Sequence, residues 1–330
     1  MKNDINVLIT GAGAATCVTV IKGLRCQKNS RIKIITCDME PDSAGRYLSD
    51  SFHLVPAASD PKFVERLLNI CQKENVDLLI PIIDYEFLPI AREKEKFDKL
   101  GITVAISDKS AIEICIDKLK TFQFLCDKGL PSPWTQMPPD FENNMKFPVI
   151  IKPIIGRATI NVYLARNTEE YWFYSKKVDG NFLVQDYMKG QELTIDAISD
   201  FNGKYLGCCI RERTEIKAGQ SYKGIVVNIP NISELVRHLL ESLALKGARG
   251  PFCIQGFNTK EGFFFTEINP RFGAATILSI RAGFNSPLAL LSLHFGNDPT
   301  CYLQGRSGVQ MLRFWQELIL ENGQVLCGEL

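Results

Sequence analysis

Histidine is scarce in this sequence, and its cysteines follow no metal-binding or redox pattern. The three histidines, His53, His238 and His294, are widely separated along the chain. Because a zinc site usually takes several imidazole or thiolate ligands at close spacing, we expect no histidine-based zinc centre. The eleven cysteines include no Cys-x-x-Cys pair and lie mostly among apolar residues. This usage is typical of buried, reduced thiols and predicts a cytoplasmic protein.

The sequence also lacks long apolar runs and any excess of one charge. No run is long enough to span a bilayer, and the short apolar start does not resemble a signal peptide. The formal net charge is only +1, so electrostatics give no reason to expect a nucleic acid or a membrane as a partner. What is present is a 330-residue chain with 45% hydrophobic residues, which is typical of a globular protein with two or three domains.

Short apolar runs alternate with helical stretches up to about residue 108. The runs at 7–10, 33–37, 77–80 and 102–106 predict strands, and helical patterns lie near 15–27, 61–73 and 86–97. That alternation predicts an α/β domain with a doubly wound parallel sheet covered on both faces.

The rest of the chain has a different order of predicted helices and strands, which is typical of an α+β arrangement. Asp108 is in place to cap a helical region that runs to Cys126. From about residue 147 β-rich sequence dominates, with hairpin turns predicted at Asn202-Gly203 and Glu261-Gly262. Two late helices are predicted near 274–283 and 286–295.

Residues 10–16, Thr-Gly-Ala-Gly-Ala-Ala-Thr, form a glycine-rich turn between the first strand and the first helix. This is the position of a dinucleotide-binding fingerprint, and Asp38 ends the second strand, where an acid would bind ribose. Thr16 stands in place of the third glycine of that fingerprint. The alternative is a tight strand-to-helix turn whose helix N-terminus contacts a substrate anion. Both interpretations stay open at this point.

The strongest chemical pattern is the strand end Phe-Phe-Phe-Thr-Glu-Ile-Asn-Pro-Arg at 263–271. Glu267, Asn269 and Arg271 alternate, so their side chains share one face of the strand. Two hard oxygen ligands beside a fixed cation suit a magnesium ion that holds polyphosphate. Gln255 lies twelve residues before Glu267, and a hairpin turning at Glu261-Gly262 would place the two side by side. The alternative is an ordinary strand-end turn, where Asn-Pro is common.

Three weaker patterns belong to the middle of the chain. Lys152 ends an apolar strand and precedes a turn at Gly156, so its amine could reach nucleotide phosphates. A second strand, 182–187, is followed by Glu192, a pattern that suits adenine held by backbone groups and ribose held by an acid. Arg211 and Arg213 begin a basic stretch that, alone, is read as a solvated hairpin face.

In this order the patterns resemble the ATP-grasp superfamily, and most closely a single, stand-alone module of its carbamoyl-phosphate synthetase large-subunit-like branch. The opening Val-Leu-Ile-Thr-Gly-Ala-Gly and the later Leu-Ile-Pro-Ile-Ile-Asp-Tyr-Glu are similar to that branch's pre-ATP-grasp domain. Asp117-Lys118 is similar to the first nucleotide-contacting lysine, Phe-Pro-Val-Ile-Ile-Lys152-Pro to the second, and 184–192 to the adenine hinge. The resemblance implies a Rossmann-like domain at 1–108, an ATP-grasp subdomain with a small β lid at 109–187, and a second subdomain with the metal site at 188–330.

The resemblance also implies a role for each matching residue. The implied ATP-binding residues are Lys118, Lys152, Gly156, Gln185, Asp186, Tyr187, Met188 and Glu192, with adenine at Asp186 and Met188 and ribose at Glu192. The implied magnesium ligands are Gln255, Glu267 and Asn269. Arg271 and Lys152 would face the transferred phosphate, and Arg213, together with Arg211, is a candidate for the acceptor's carboxylate or phosphate.

The implied activity is an ATP-dependent ligase that converts a small carboxylate into an acyl phosphate and joins it to an amine or, less often, a thiol. Its cofactors would be ATP and one or two Mg²⁺ ions, with Mn²⁺ as a substitute, and a homodimer is compatible with the resemblance. The alternatives are a small-molecule kinase, a non-catalytic ATP-binding protein on the same fold, and an NAD(P)-binding oxidoreductase that uses the turn at Gly11.

Two departures from the family pattern stand in this sequence. The loop after Lys152, Ile-Ile-Gly-Arg-Ala-Thr, has one glycine where relatives carry several, so its phosphate contacts are open. The chain has room for one ATP-grasp module, whereas carbamoyl-phosphate synthetases carry two with further domains. We therefore do not expect this chain to make carbamoyl phosphate.

Overall fold

The computed structural model describes residues 4–27, 31–138, 145–156, 160–178, 181–314 and 316–327. Residues 157–159, which form part of the loop after Lys152, lie outside the described residues.

A parallel sheet forms the N-terminal part of the molecule. Its strands are β1 (Asp4–Ile9), β2 (Arg31–Asp38), β3 (Ser51–Leu54), β4 (Leu78–Ile80) and β5 (Thr103–Val104). They pair in parallel in the order β3-β2-β1-β4-β5. The central strands are apolar and buried along most of their length because helices cover both faces. The predicted doubly wound sheet is confirmed.

The helices of this part are α1 (Ala15–Leu24), α2 (Ala44–Leu48), α3 (Phe63–Lys73), α4 (Phe87–Arg92) and α5 (Lys94–Lys99). Leu8, Ile35 and Leu79 on one face of the sheet pack against α3, α4 and α5. The other face, which includes Ile9 and Ile34, packs against α1 and two helices from the C-terminal half of the chain. The first sheet therefore shares a core with the end of the chain, and the predicted domain limits stay predictions.

A small antiparallel sheet lies in the middle of the chain. Helices α6 (Lys109–Ile116) and α7 (Lys118–Asp127) lead to β6 (Thr135–Gln136), β7 (Val149–Pro153), β8 (Tyr163–Ala165), α8 (Thr168–Ser175) and β9 (Phe182–Asp186). The strand order is β6-β9-β7-β8. Val149, Ile151 and Val184 cluster with Tyr171 of α8 on one face. Because side chains alternate along a strand, Lys152 and Gln185 lie on the opposite face.

A larger antiparallel sheet carries the C-terminal half. Its strands are β10 (Gln191–Ser199), β11 (Tyr205–Lys217), β12 (Gln220–Val227), β13 (Gly250–Thr259), β14 (Gly262–Asn269) and β15 (Gln310–Leu312), in the order β14-β13-β10-β11-β12-β15. The helices that follow β12 and β14 are α9 (Pro230–Ala244), α10 (Thr276–Ala282) and α11 (Ser286–His294). Both hairpin turns predicted from the sequence, at Asn202-Gly203 and Glu261-Gly262, are confirmed.

The two faces of the larger sheet differ in character. One face carries Leu193, Ile195 and Ile254, which pack against α9 through residues such as Val236 and Leu240. The neighbouring positions on the same strands, such as Thr194 and Gln255, point to the other face. That second face is polar around Gln255, where it holds the candidate site, and apolar around Ile198 and Val226, where it packs against α10 and α11.

Near the end of the described chain, β16 (Ile319–Glu321) and β17 (Gln324–Cys327) pair as a separate hairpin. Within the described ranges, no helix has the length and apolarity that a membrane crossing requires.

Local details depart from the sequence prediction in three places. Strand β3 was not predicted because its sequence, Ser-Phe-His-Leu, has little apolar character. The single helix expected over 86–97 is two helices that meet at Glu93. Asp108 occupies the N-cap position of α6, but its carboxylate accepts from Arg249 at 3.0 Å and not from the helix amides. The acid that does cap a helix is Asp117, at the start of α7.

One buried ion pair ties the larger sheet to α10. Asp196 on β10 accepts from Arg211 Nε at 2.8 Å and Nη2 at 3.0 Å, and it also accepts from the hydroxyls of Thr276 and Ser279. Both side chains of the pair are almost fully buried. The bidentate geometry and the added hydroxyls satisfy the carboxylate, which offsets the cost of removing both charges from water.

We expect Asp196→Ala to lower the free energy of unfolding by about 3–5 kcal/mol, because Arg211 would be left buried without a counter-charge. Chemical denaturation measures the change. The matched control is Glu215→Ala, which removes a half-exposed carboxylate that pairs with Lys217 and Lys223 on the same sheet, and which we expect to leave the midpoint unchanged. An Asp196 variant as stable as the control variant would contradict this account of the pair.

Candidate active site

The predicted metal ligands converge on the polar face of the larger sheet. Gln255 on β13 is the direct partner of Glu267 on β14, and Cys253 is the partner of Asn269. Glu267 and Asn269 are two residues apart, so their side chains share a face with Gln255. The cross-strand arrangement of Gln255 and Glu267 expected from the sequence is therefore present.

The Asn269 side chain is fixed in one orientation. Its Nδ2 donates to the carbonyl oxygen of Cys253 at 3.2 Å, and its Oδ1 accepts from Arg271 Nη2 at 3.3 Å. Because a carbonyl oxygen can only accept, the nitrogen must face Cys253. The amide oxygen, which is the atom that binds a hard cation, is consequently turned away from Cys253 and toward Arg271.

This donor set suits magnesium better than a transition metal. It consists of one carboxylate and two amide oxygens, and no group of three or more His, Cys, Asp or Glu side chains suited to a metal occurs among the described residues. Mg²⁺ commonly takes only one or two protein oxygens and completes its shell with phosphate and water. The residues present therefore fit a magnesium ion bound together with a triphosphate.

Lys152 is buried on the inner face of the small sheet. Its Nζ donates to Gln185 Oε1 at 2.8 Å, and Gln185 Nε2 donates in turn to Thr135 Oγ1 at 2.8 Å. Burial lowers the pKa of Lys152 to about 8, while Glu267 raises it and Lys118 lowers it further. Gln185, predicted as an ATP-binding residue, thus contacts Lys152 directly and holds its amine in place. Thr135 was not singled out from the sequence.

Lys118 begins α7, where Asp117 accepts from two backbone amides of the first turn at 2.9 and 3.0 Å. Its Nζ donates to the Gly156 carbonyl at 2.9 Å, and its backbone N–H donates to the Ile154 carbonyl at 3.1 Å. Lys118 therefore fastens the start of the loop that follows Lys152. The two predicted phosphate-contacting lysines reach the same region from different elements.

The predicted adenine hinge connects the two antiparallel sheets. The Asp186 N–H donates to the Trp134 carbonyl at 3.0 Å, and the Tyr187 N–H to the Pro148 carbonyl at 3.3 Å. The Met188 N–H has no hydrogen-bond acceptor within the described residues. A backbone donor of this kind, exposed at the edge of a hinge, is what an adenine ring nitrogen requires.

Glu192, predicted to bind ribose, faces Arg213 across β10 and β11. The Arg213 Nη1 donates to Glu192, and its Nη2 donates to the Gly219 carbonyl at 2.7 Å. The buried Arg213 Nε has no partner within the described residues. The geometry makes Arg213 a support for Glu192, and its assignment to the acceptor stays a prediction. Arg211 is fully buried and paired with Asp196, so it does not fit the acceptor role considered for it.

Arg271 lies at the junction of the N-terminal and C-terminal sheets. It contacts Asn269, as above, and it forms an ion pair with Asp84, with Nε 2.9 Å from Oδ1. A cleft opens beside this pair, and its lining includes Asp84, Lys118, Gly156, Glu267 and Asn269. Four of the predicted residues thus line one cleft, namely Lys118 and Gly156 for phosphate and Glu267 and Asn269 for the metal, whereas Lys152 and Gln255 are not among its lining residues. Asp84 was not singled out from the sequence.

The glycine turn at 10–16 is internally bonded. The amides of Ala12, Gly13 and Ala14 donate to the Cys37 carbonyl, the Asp38 carboxylate and the Gly11 carbonyl. Gly11 has φ +61°, where only glycine is unstrained, and a Cβ there would lie 2.6 Å from Ile83. The amides of Ala12, Gly13 and Ala14 and the Asp38 carboxylate are thus engaged inside the protein, whereas the amides of Ala15 and Thr16 at the start of α1 have no acceptor among the described residues. Both interpretations of the turn therefore stay predictions.

Comparison with known protein families shows which domains the chain contains. Residues 115–275 match the family model described as an ATP-grasp domain, and residues 7–105 match that of a PylC-like N-terminal domain. The chain therefore contains an ATP-grasp domain, with a PylC-like domain ahead of it. The resemblance inferred from the ordered motifs is confirmed.

Individual relatives are distant. Over 276 residues the chain is 25% identical to the 3-methyl-D-ornithine–L-lysine ligase of Methanosarcina acetivorans, covering 81% of this chain and 68% of that protein. It is 27% identical over 187 residues to a carbamoyl-phosphate synthase of Methanobrevibacter smithii, covering 54% of this chain and 49% of the synthase. The chain thus spans only about half the length of that synthase.

Among solved structures, the N5-carboxyaminoimidazole synthetase of Staphylococcus aureus complexed with ADP superposes with a TM-score of 0.70 at 15% identity, over 89% of this chain and 78% of that one. At this identity the likeness concerns the fold alone. It confirms the predicted combination of a parallel N-terminal sheet with an ATP-grasp fold.

Lys152 makes nucleotide affinity depend on pH. In the free protein its pKa is about 8, and phosphate oxygens favour the charged amine, so binding above that pH requires a proton to be taken up. We expect Mg-ADP affinity to fall as the pH rises from about 7 to about 9.5, with proton uptake on binding. Calorimetry in buffers of different ionisation enthalpy measures both quantities.

The control for this pH dependence is Lys152→Arg, which keeps the charge throughout the range because arginine does not titrate there. Its affinity should change little with pH. An equal decline in both proteins would show that Lys152 is not the group responsible.

Proposed function

We propose that this chain is an ATP-dependent ligase that joins a small carboxylate to an amine through an acyl-phosphate intermediate. The observation that carries the proposal is the pairing of Gln255 with Glu267, with Asn269 beside them and Lys118 and Gly156 on the same cleft. The name of one relative, a ligase that joins 3-methyl-D-ornithine to L-lysine, supports the same class of reaction.

The nucleotide would lie between the small and the larger sheet. Its adenine would accept from the Met188 backbone, and its ribose hydroxyls would donate to Glu192, which Arg213 holds in place. Lys118 and Lys152 would contact the phosphates from the small-sheet side.

The main physical difficulty of the reaction is to bring an anionic carboxylate against an anionic triphosphate. A carboxylate oxygen of the substrate attacks the γ-phosphorus, and the bond to the β,γ-bridging oxygen breaks to release ADP. Mg²⁺, held by Gln255, Glu267 and Asn269, would neutralise phosphate charge at this step. Arg271 and Lys152 supply fixed positive charge toward the transferred group.

The second step joins the amine to the activated acid. The amine nitrogen attacks the acyl carbon, phosphate leaves, and the nitrogen loses a proton to give the amide. The described site residues include no evident general base in a position to take this proton, so we propose that the amine enters deprotonated and that positioning supplies most of the rate.

A screen for ADP release tests the proposal directly. Small carboxylic acids, amino acids included, are offered with Mg-ATP, alone and in pairs with amines. The proposal expects ADP release that depends on an acid and an amide product by mass spectrometry. A phosphorylated acid that accumulates in the presence of every amine would identify a kinase instead, and Mg-ATP binding without turnover would identify a non-catalytic binding protein. Gel filtration shows whether the chain forms a homodimer.

Glu267→Gln and Lys152→Ala should each lower the rate of ADP release by about 10²–10³, the usual cost of losing one preorganised charge contact. The matched control is Glu261→Gln, which changes an exposed acid in the turn of the same hairpin and should retain the normal rate. Near-normal turnover in the Glu267 variant would remove the metal assignment.

Glu192→Ala should weaken Mg-ADP binding by about tenfold, the scale of one hydrogen bond to a charged group, with a smaller effect on turnover at saturating ATP. Glu192→Gln keeps an acceptor for ribose and a partner for Arg213, so its loss should be smaller. Calorimetry that finds the same affinity in the alanine variant and the unmodified protein would reject the ribose role.

A further inference from the structure

Arg271 is held by a carboxylate from the other end of the chain. Its Nε donates to Asp84 Oδ1 at 2.9 Å, and its Nη2 lies 3.4 Å from Asp84 Oδ2. The two residues are 187 positions apart in sequence, and their side chains are only 18% and 23% exposed. In so sheltered a position the pair is screened far less than a surface ion pair.

Hydrogen bonds to other groups of the protein occupy most of the N–H donors of the Arg271 guanidinium. Nε and one N–H of Nη2 donate to the Asp84 carboxylate. The second N–H of Nη2 donates to Asn269 Oδ1, and one N–H of Nη1 donates to the Phe272 carbonyl at 3.0 Å. Arginine has five N–H donors. The one that remains without an acceptor among the described residues is on Nη1, and the other four fix its direction.

The N-terminal sheet holds Asp84 firmly. Asp84 starts a short 3-10 turn, 84–86, after β4, at the carboxyl edge of the sheet where the chain order reverses between β1 and β4. Two residues away, the buried Glu86 accepts from the Thr10 hydroxyl, and that same hydroxyl accepts from the Ile82 N–H at 3.1 Å. The turn is therefore bonded to the end of β1 and has little freedom of its own.

We propose that Asp84 is a positioning residue for Arg271: the N-terminal domain completes the phosphoryl-transfer site by aiming the remaining Nη1 donor at the γ-phosphate. The proposal rests on the phosphate role that the proposed function gives to Arg271. It makes the N-terminal domain a working part of the nucleotide site. Asp84 itself touches neither nucleotide nor metal in this account.

The test is a double-mutant cycle in which the measured quantity is the affinity for Mg-AMP-PNP relative to that for Mg-ADP. Calorimetry measures the affinity of the full-length protein for Mg-AMP-PNP, which has a γ-phosphate, and for Mg-ADP, which does not. Asp84→Asn keeps the side-chain shape but removes the charge. It should lower Mg-AMP-PNP affinity by about tenfold and leave Mg-ADP affinity within about twofold.

Arg271→Lys should lower the preference for Mg-AMP-PNP over Mg-ADP at least as much, since lysine lacks the planar guanidinium to which Asp84 binds. In the double variant the Asp84 change should have no further effect, because a residue that acts only through Arg271 has nothing left to position. Asp84→Glu, which restores the charge, should recover part of the preference. Glu93→Gln, at an exposed ion pair of the same domain, is the control and should change neither affinity.

Three results would overturn the proposal. Equal losses of Mg-AMP-PNP and Mg-ADP affinity in Asp84→Asn would indicate a structural role only. Additive effects in the double variant would show that Asp84 acts independently of Arg271. An unchanged preference in Asp84→Asn, with a changed one in Arg271→Lys, would reject the Asp84 role alone. If Arg271→Lys also leaves the preference unchanged, the phosphate role in the proposed function is wrong as well.

Discussion

The pairing of β13 with β14 is the constraint on which the rest of the site depends. It sets Gln255 opposite Glu267 and places Asn269 one pleat further along the same face. The Cys253 carbonyl on β13 then fixes the Asn269 amide so that its oxygen faces Arg271. A shift of β14 by one residue would move Glu267 and Asn269 to the apolar face that packs on α9, away from Gln255. The apolar residues that alternate with these side chains along the two strands therefore fix the pairing register on which the site depends.

Around this hairpin, the fold brings charged groups from separate parts of the chain close to one another. The small sheet contributes Lys152, whose burial lowers its pKa to about 8, and α7 contributes Lys118. The N-terminal sheet contributes Asp84, which grips Arg271. The shared core of α1, α10 and α11 fastens that sheet to the C-terminal half. Packing far from the cleft thus determines which charges meet inside it.

The parts of the site that could be predicted from sequence are those set by local geometry. The alternation of Glu267 and Asn269 and their relation to Gln255 follow from strand periodicity and one hairpin turn. The parallel sheet follows from its continuous apolar strands. Contacts set by tertiary packing could not be read in this way: Arg211 and Arg213 alternate on one strand and look alike in sequence, yet only Arg211 is buried against Asp196. The contact between Asp84 and Arg271 carries no local signal at all, because it depends on how two sheets are joined.

The most direct test of the account is a crystal structure of the protein grown with AMP-PNP and Mn²⁺ in place of Mg²⁺, with the metal located by its anomalous signal. We predict a metal peak within about 2.1–2.3 Å of a Glu267 carboxylate oxygen and the amide oxygen of Asn269, with Gln255 beside it and the triphosphate bound to the same ion. A nucleotide seated at the glycine turn of the N-terminal sheet, or a metal held away from these three side chains, would contradict it.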